Sequence, residues 1–348
     1  MRESTGKIYI ELKHELQKDY GVNMLVPTER ELCQRFNVGR SAIRTVLHQL
    51  EQDGILRSRG SHCMRQIAVA EKKINKVLVF QTPREIFRQT NESFRILSGM
   101  SNAIHERHGE IIPIFAEYGP ILEELCKSYS PDEYSGIIFH ELYSDWYQRL
   151  RNYGIPAVIA NYEGNRNVAA SSVDFRQVGR IAGIEFLKKG YRRVAFIGRL
   201  EGFVNDEIAA GLRGALAEER IWFEDNLVIP YKYYDDAQQT NVRVAECLRQ
   251  MLKSKERPEG FLVFRHQRNQ LLLRIAEELH VRIPEDMEII VYDAPTADVG
   301  QTPVSLLQEP VEELGRSAVE ILLNQHVVSS EERIFLPPKY IPGNNCNQ

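Results

Sequence analysis

VPTERELCQRFNVGRSAIRTVLHQLEQDGILRSRGSHCMRQ, residues 26–66, decides how this chain is read. Thr28 and Glu31 stand at capping-box spacing, so hydroxyl and carboxylate can each close a backbone amide where a helix starts. Pro27 suits the position just ahead of it. Leu32 and Phe36 share one face of the short helix that follows, and Asn37-Val38-Gly39 breaks it. A second helix is expected from about residue 40 to 53, with Ile43, Val46, Leu47 and Leu50 as its buried stripe and Gly54 as its stop. Arg40, Ser41, Arg44 and His48 are left outside. Two guanidinium forks one turn apart, flanking a small hydroxyl, are what a helix in a major groove needs for guanine edges or phosphates. After Ile55-Leu56, residues 57–62 read as a basic hairpin tip suited to the DNA backbone or the adjacent minor groove. A solvated basic helix in an accessory domain is the alternative. It leaves unexplained why cap, turn, stripe, stop and wing arrive together and in order.

The runs at 27–32, 38–44, 54–56 and 57–62 resemble the winged helix-turn-helix of GntR-type transcription regulators. That resemblance implies a DNA interface at Thr28, Glu29, Arg30, Arg40, Ser41, Arg44, Arg57, Arg59, Gly60, Ser61 and His62. Gly39 is a departure: the family usually carries Ser or Thr there, so a phosphate-facing hydroxyl is missing.

Charge is distributed to match. The whole chain of 348 residues has a formal net charge of −4. Residues 1–70 nevertheless hold 11 Lys+Arg against 8 Asp+Glu, a net of +3, while the remainder holds 33 against 40, a net of −7. A positive head on a negative body fits a nucleic-acid reader joined to something that need not touch DNA. With 43% hydrophobic and 26% charged residues the composition is that of an ordinary globular protein. The five cysteines are scattered and form no CxxC pair, which suggests neither a disulfide framework nor a zinc site. The polar start and the lack of a long apolar run lead us to expect a cytoplasmic protein.

Residues 4–20 should form an amphipathic helix with Ile8, Leu12 and Leu16 inward, completing a head at 1–69, and 70–75 reads as a linker. From 76 onward apolar runs alternate with helical patterns, as in a doubly wound parallel sheet. Strands are expected at 76–80, 111–115, 134–139 and 155–159, then in a turn into a buried strand over 190–198, and at 226–231, 260–264 and 288–292. Helices are expected between them and at 311–324. Two such α/β halves in tandem, about 76–161 and 175–292 with the C-terminal segment crossing between them, suggest a two-lobed clamp with a ligand in its cleft.

The runs YSGII (134–138), GIPAV (154–158) and GYRRVAFIG (190–198), with Val173-Asp174, Gly179, GLRGAL (211–216), IPED (283–286), Tyr292-Asp293, Gln308-Glu309-Pro310 and Leu314-Gly315, are similar to the sensor half of LacI/GalR regulators. That half is itself similar to periplasmic sugar-binding proteins. A GntR-type head on such a body is the architecture of arabinose-repressor-like regulators. The resemblance implies a homodimer facing a pseudo-palindromic operator, with a small carbohydrate-like effector.

Candidate effector contacts are Gln81, His140, Asn161, Arg199, Arg265, His266 and Asp293. Where sugar-binding members carry an arginine this chain has Ile208, and their usual Asn-Asp falls at Arg265-His266. The exchange moves the cleft from neutral polyol towards an anionic ligand, unless those two are only solvated loop residues. His105 and His108 resemble a metal pair but have no further ligand nearby. Asp235-Asp236 reads as a solvated loop pair, while Tyr231, Tyr233 and Tyr234 either stack on a ligand or pack the lobe. No nucleotide or nucleophile motif is present, so neither a cofactor, a metal nor an enzyme activity is expected. The rival readings are a solute-binding protein whose head is a protein adaptor, and an α/β enzyme acting in the cleft.

Overall fold

The computed structural model describes residues 3–19, 25–52, 55–59, 64–67, 75–81, 91–116, 119–140, 145–199, 202–231, 237–292, 303–324 and 332–343. They fall into two compact units, 1–73 and 74–348.

In the first unit, helices α1 (Glu3–Asp19), α2 (Glu29–Phe36) and α3 (Arg40–Gln52) precede the antiparallel pair β1 (Leu56–Arg59) and β2 (Met64–Ile67). Thr28 and Glu31 form the capping box: the Thr28 hydroxyl accepts from the Glu31 amide at 3.3 Å, and Glu31 accepts from the Thr28 amide at 2.7 Å. Asn37, at φ 49°, closes α2 in the left-handed conformation, its amide returning to Cys33. The Gly39 carbonyl accepts the amides of Ala42 at 3.0 Å and Ile43 at 3.4 Å, the opening bonds of α3, and Gly39 itself has no hydroxyl to cap it. Leu12 and Leu16 of α1 meet Leu32, Ile43, Val46, Leu47 and Leu50 in one core, and Ile55 and Leu56 seal its edge. Gly54 lies outside the described residues.

The second unit holds two six-stranded sheets. In the first lobe, β3 (Lys76–Gln81), β4 (Glu110–Phe115), β5 (Tyr134–His140), β6 (Ala157–Ala160) and β7 (Ala170–Val173) are joined by a C-terminal strand, β13 (Arg333–Leu336), in the order β13-β7-β6-β5-β3-β4. The second lobe is built from β8 (Val194–Arg199), β9 (Val228–Tyr231), β10 (Gly260–Phe264), β11 (Glu288–Tyr292), β12 (Ser305–Gln308) and β14 (Lys339–Ile341), in the order β14-β12-β11-β10-β8-β9. All pairings are parallel except β12 with β14. Helices α4 (Asn91–His105), α5 (Pro120–Ser128) and α6 (Trp146–Asn152) connect the strands of the first lobe. In the second lobe the helices are α7 (Phe175–Lys188), α8 (Phe203–Glu218), α9 (Ala237–Lys253) and α10 (His266–Glu278). Among the described residues no helix is long and apolar enough to cross a membrane.

The chain passes between the lobes three times: from β7 into α7, from β12 into α11 (Val311–Asn324), and from β13 to β14. Four of these elements were not expected as strands. β7 is Ala-Ser-Ser-Val, without the apolar run that marks a buried strand. Its serines are buried because each hydroxyl has a carbonyl, Ser171 donating to Leu314 at 2.8 Å and Ser172 to Tyr162 at 2.9 Å. β12, β13 and β14 are three or four residues long, too short for periodicity to register. Asn75, read as linker, is tied to the first lobe by its amide to Ser135 Oγ at 3.0 Å and its side chain to the Asp132 carbonyl at 2.9 Å; residues 70–74 lie outside the described residues.

Glycines set the closest helix contacts in both lobes. A Cβ on Gly179 of α7 would stand 1.8 Å from the Ile208 carbonyl oxygen of α8, and one on Gly211 would stand 1.9 Å from that of Arg176. The other pair matches it: Gly99 of α4 against Glu312 at 2.0 Å, and Gly315 of α11 against Ile96 at 2.1 Å. Gly315→Ala should therefore destabilise the second unit by about 1–3 kcal/mol through overpacking. Gly214→Ala, with open space around its Cβ, should be neutral or stabilising by up to about 1 kcal/mol. Urea midpoints of the two variants against the parent check both signs.

Candidate nucleic-acid interface and effector cleft

On α3 the buried stripe of Ile43, Val46, Leu47 and Leu50 leaves Arg40, Ser41, Arg44, Thr45 and His48 exposed along the opposite arc. Arg30, on α2, is exposed as well. Thr28 and Glu29 have local duties. The Thr28 hydroxyl donates to the Glu31 carboxylate at 2.9 Å within the capping box. Glu29 turns inward, its side chain only 16% exposed, and takes Arg44 Nε at 2.9 Å and Arg65 Nη1 at 3.2 Å on its two oxygens. Burial opposes the Glu29 charge, but bonds from the two arginines outweigh it and hold its pKa below the ordinary carboxylate range. Arg57 and Arg59 lie on β1, the first strand of the wing. Gly60, Ser61 and His62 lie outside the described residues.

In the second unit, Gln81, His140 and Asn161 come together at the carboxyl ends of the adjacent strands β3, β5 and β6. Gln81 and His140 are buried. Asn161 is half-buried in the left-handed conformation, φ 55°, where Asn is among the residues that fit best. Arg199 closes β8, and Arg265 follows its neighbour β10. Arg265 is the N-cap of α10, in the one-residue connection from β10, and His266 is the first helical residue. Arg265 adopts φ 77° and ψ 137°, a region that disfavours any side chain. Its amide donates to the Tyr292 carbonyl at 2.9 Å, which holds it there. Asp293, Asp235, Asp236, Tyr233 and Tyr234 lie outside the described residues.

Several residues near these strand ends escaped sequence reasoning. Glu163, from the loop after β6, faces Arg265 across the lobes at 3.9 Å. The Arg268 guanidinium lies 4.4 Å from the centre of the Tyr231 ring and bonds Asn241. Tyr231 itself is buried and donates to the Phe264 carbonyl at 3.2 Å, which makes it a packing residue of the lobe. Arg333 sits between the rings of Tyr162 and Phe335, at 5.1 and 4.8 Å, and donates to the Gly164 carbonyl and to Ser172 Oγ. Oδ1 of Asn205 and of Asn269, in the first turns of α8 and α10, are buried and accept no hydrogen bond among the described residues. Asn269 did carry a signal, because it stands on the apolar stripe of Leu272, Ile275 and Ala276. His105 ends α4 and His108 lies in the turn beyond it. Among the described residues no group of three or more His, Cys, Asp or Glu could hold a metal ion.

Comparison with known proteins agrees with this geometry. Residues 5–62 match the family model described as "Bacterial regulatory proteins, gntR family", and residues 185–346 match "Periplasmic binding protein-like domain". The arabinose metabolism transcriptional repressor of Geobacillus stearothermophilus is 22% identical over 381 residues, covering 100% of each chain. The HTH-type transcriptional repressor PurR of Vibrio atlanticus (strain LGP32) is 28% identical over 189 residues, 53% of this chain and 55% of that relative. Among solved structures, a regulatory protein of the LacI family from Chloroflexus aggregans aligns with a TM-score of 0.62 at 19% identity, over 76% of this chain and 96% of that one. A complex of the transcriptional regulator CelR with cellobiose aligns with a TM-score of 0.58 at 19% identity, over 91% and 98%. The chain thus joins a gntR-type DNA-binding head to a periplasmic-binding-protein-like body, and its relatives are transcription regulators, not enzymes.

Burial pushes the pKa of His140 down from 6.5 to about 4. The unfolded chain binds that proton first, so the contribution is intact above pH 6.5 and is lost as pH falls towards 4. About 3 kcal/mol of stability should disappear across that window. His140→Gln should flatten this part of the profile, measured by urea unfolding at a series of pH values.

Proposed function

We propose that this protein is an effector-responsive repressor that binds a pseudo-palindromic operator as a homodimer in the cytoplasm. The observation that carries the reading is the exposed arc of Arg40, Ser41 and Arg44 on a helix whose other side is wholly buried. Such a helix is rigid enough to present its forks as a set. Arg30, Arg57, Arg59 and the wing tip at Gly60, Ser61 and His62 complete the proposed interface, gripping phosphates on either side.

A dimer is supported by apolar side chains on the outer edges of both lobes. Phe94 on α4 and Phe115 on edge strand β4 are exposed, as is Val242 on α9, the helix following edge strand β9. Side-by-side pairing along these edges would cover them and bring two heads to two half-sites.

The effector is proposed to bind between the lobes, against Gln81, His140, Asn161, Arg199, Arg265, His266 and Asp293. A sugar or sugar derivative fits best, given the buried Oδ1 atoms of Asn205 and Asn269 that call for hydroxyl donors and the half-buried Arg265 guanidinium that suits a carboxylate or phosphate. Coupling of about 1–3 kcal/mol between effector and operator is the usual scale.

Arg40→Ala and Arg44→Ala should each weaken operator binding by about 1–3 kcal/mol per base contact and leave the fold intact. Operators selected from genomic DNA and titrated by fluorescence anisotropy test this; unchanged affinity removes those residues from the interface. For the cleft, a panel of sugars, sugar phosphates and sugar acids should contain a compound that raises the melting temperature by mass action. Arg265→Ala should abolish the shift for the anionic members and spare the neutral ones. An equal response of parent and variant would place the ligand elsewhere.

A further inference from the structure

Arg44 is an exposed side chain on α3, yet it is not left to choose its own direction. Its Nε donates to Glu29 Oε2 at 2.9 Å, while the side chain as a whole stays 62% exposed. The inner edge of the guanidinium is therefore anchored, and the orientation of its plane is set from behind. The anchor is itself held. Glu29 Oε1 accepts from Arg65 Nη1 at 3.2 Å, and Arg65 Nε donates to Glu51 Oε1 at 2.8 Å near the end of α3. Arg65 belongs to β2, where it pairs with Ser58 of β1, and its carbonyl accepts the Val26 amide at 3.0 Å. Arg65 and Glu29 are both largely buried, at 14% and 16% side-chain exposure. One alternating chain of charges, Arg44–Glu29–Arg65–Glu51, thus ties α2, α3 and the wing together.

We propose that Glu29 is a positioning residue for DNA reading: it aims Arg44 at a base edge and lowers the affinity of the head for DNA of any other sequence. This rests on the regulator reading above. The first half follows from entropy. A free arginine side chain has many rotamers, and fixing its fork in advance reduces what binding must immobilise. The second half follows from charge. A carboxylate directly behind a guanidinium offsets attraction to phosphate, which is the sequence-independent part of binding. The base contact depends on geometry and survives that offset. A purely structural ion pair would act on neither quantity, only on the folding of the head.

The test uses the full-length chain with a selected operator and a scrambled duplex of equal length, each titrated at several salt concentrations. For Glu29→Ala we expect tighter binding to scrambled DNA and an operator-to-scrambled ratio about tenfold below that of the parent. Glu29→Gln, which keeps an oxygen for Arg44 but loses the charge, should tighten scrambled binding while retaining most of the ratio. In the Arg44→Ala background, Glu29→Ala should lower the ratio no further. The proposal is overturned if Glu29→Ala leaves the ratio unchanged, or if its effect adds in full to that of Arg44→Ala. It is equally overturned if both affinities of Glu29→Ala and of Glu29→Gln fall together with the melting temperature of the head, which is the signature of structure alone. A parent chain that binds no duplex at any salt concentration removes the regulator reading itself, a result distinct from these.

Discussion

The body depends on two helix pairs packed more closely than side chains permit. Each time the chain leaves one sheet for the other and begins a helix, a glycine on that helix meets carbonyl oxygens of a neighbour. After the first passage Gly179 of α7 seats against α8, with Gly211 returning the contact; after the second, Gly315 of α11 seats against α4, with Gly99 returning it. Those contacts let α11, which arrives from β12 of the second lobe, lie close against α4 while its apolar face joins the core of the first. Leu314, beside Gly315, belongs to the core of the second lobe, whereas Ala318, Val319 and Leu322 belong to that of the first. The same few residues therefore anchor a helix and mark where the two cores divide. Any relative motion of the lobes has to be absorbed outside these pairs, in the short connections at 174, 309–310 and 337–338.

Much of this was legible in advance, and the failures share a cause. Residues 26–66 combine cap, turn, stripe and stop signals, each with a local physical reason, so the head could be read from them directly. Strands such as Phe261–Phe264, with an uninterrupted apolar run, announced themselves. β7 did not, because Ser171 and Ser172 are satisfied by Leu314 and Tyr162, one of them 143 residues away. β12, β13 and β14 are strands only by virtue of neighbours that sequence order conceals. The same holds for the cleft. Gln81, His140 and Asn161 could be placed by counting strand ends, but Glu163 and Arg333 lie in loops and late strands brought there by topology. Glu29 sits within the DNA-binding signature, and its bonds to Arg44 and Arg65 were not visible in the sequence, because Arg65 lies on the wing 36 residues away.

Three arginines of the described residues sit in contrasting surroundings. Arg65 is enclosed between two carboxylates and acts as a brace. Arg333 has rings on both sides and oxygens at its edge, so its charge is eased by π faces and neutral acceptors. Arg265 lies over the Phe264 ring and faces the Glu163 carboxylate at 3.9 Å, a separation longer than that of a tight charge-assisted hydrogen bond. A brace resists exchange because breaking it leaves a buried charge exposed to nothing. The 3.9 Å contact between Arg265 and Glu163 can be exchanged for another at lower cost than such a brace.

That difference decides how chemistry in the cleft could be converted into movement. Glu163 belongs to the first lobe and Arg265 to the second, so the pair opposes separation with only the modest strength of a partly solvated contact. An incoming carboxylate or phosphate would compete with Glu163 for the guanidinium and leave two anions facing each other. A neutral polyol, by contrast, could donate to Glu163 and accept from Arg265 at once, adding bonds across the gap without removing one. If the proposed effector binds there, ligand charge and lobe closure would be linked in opposite senses for the two classes.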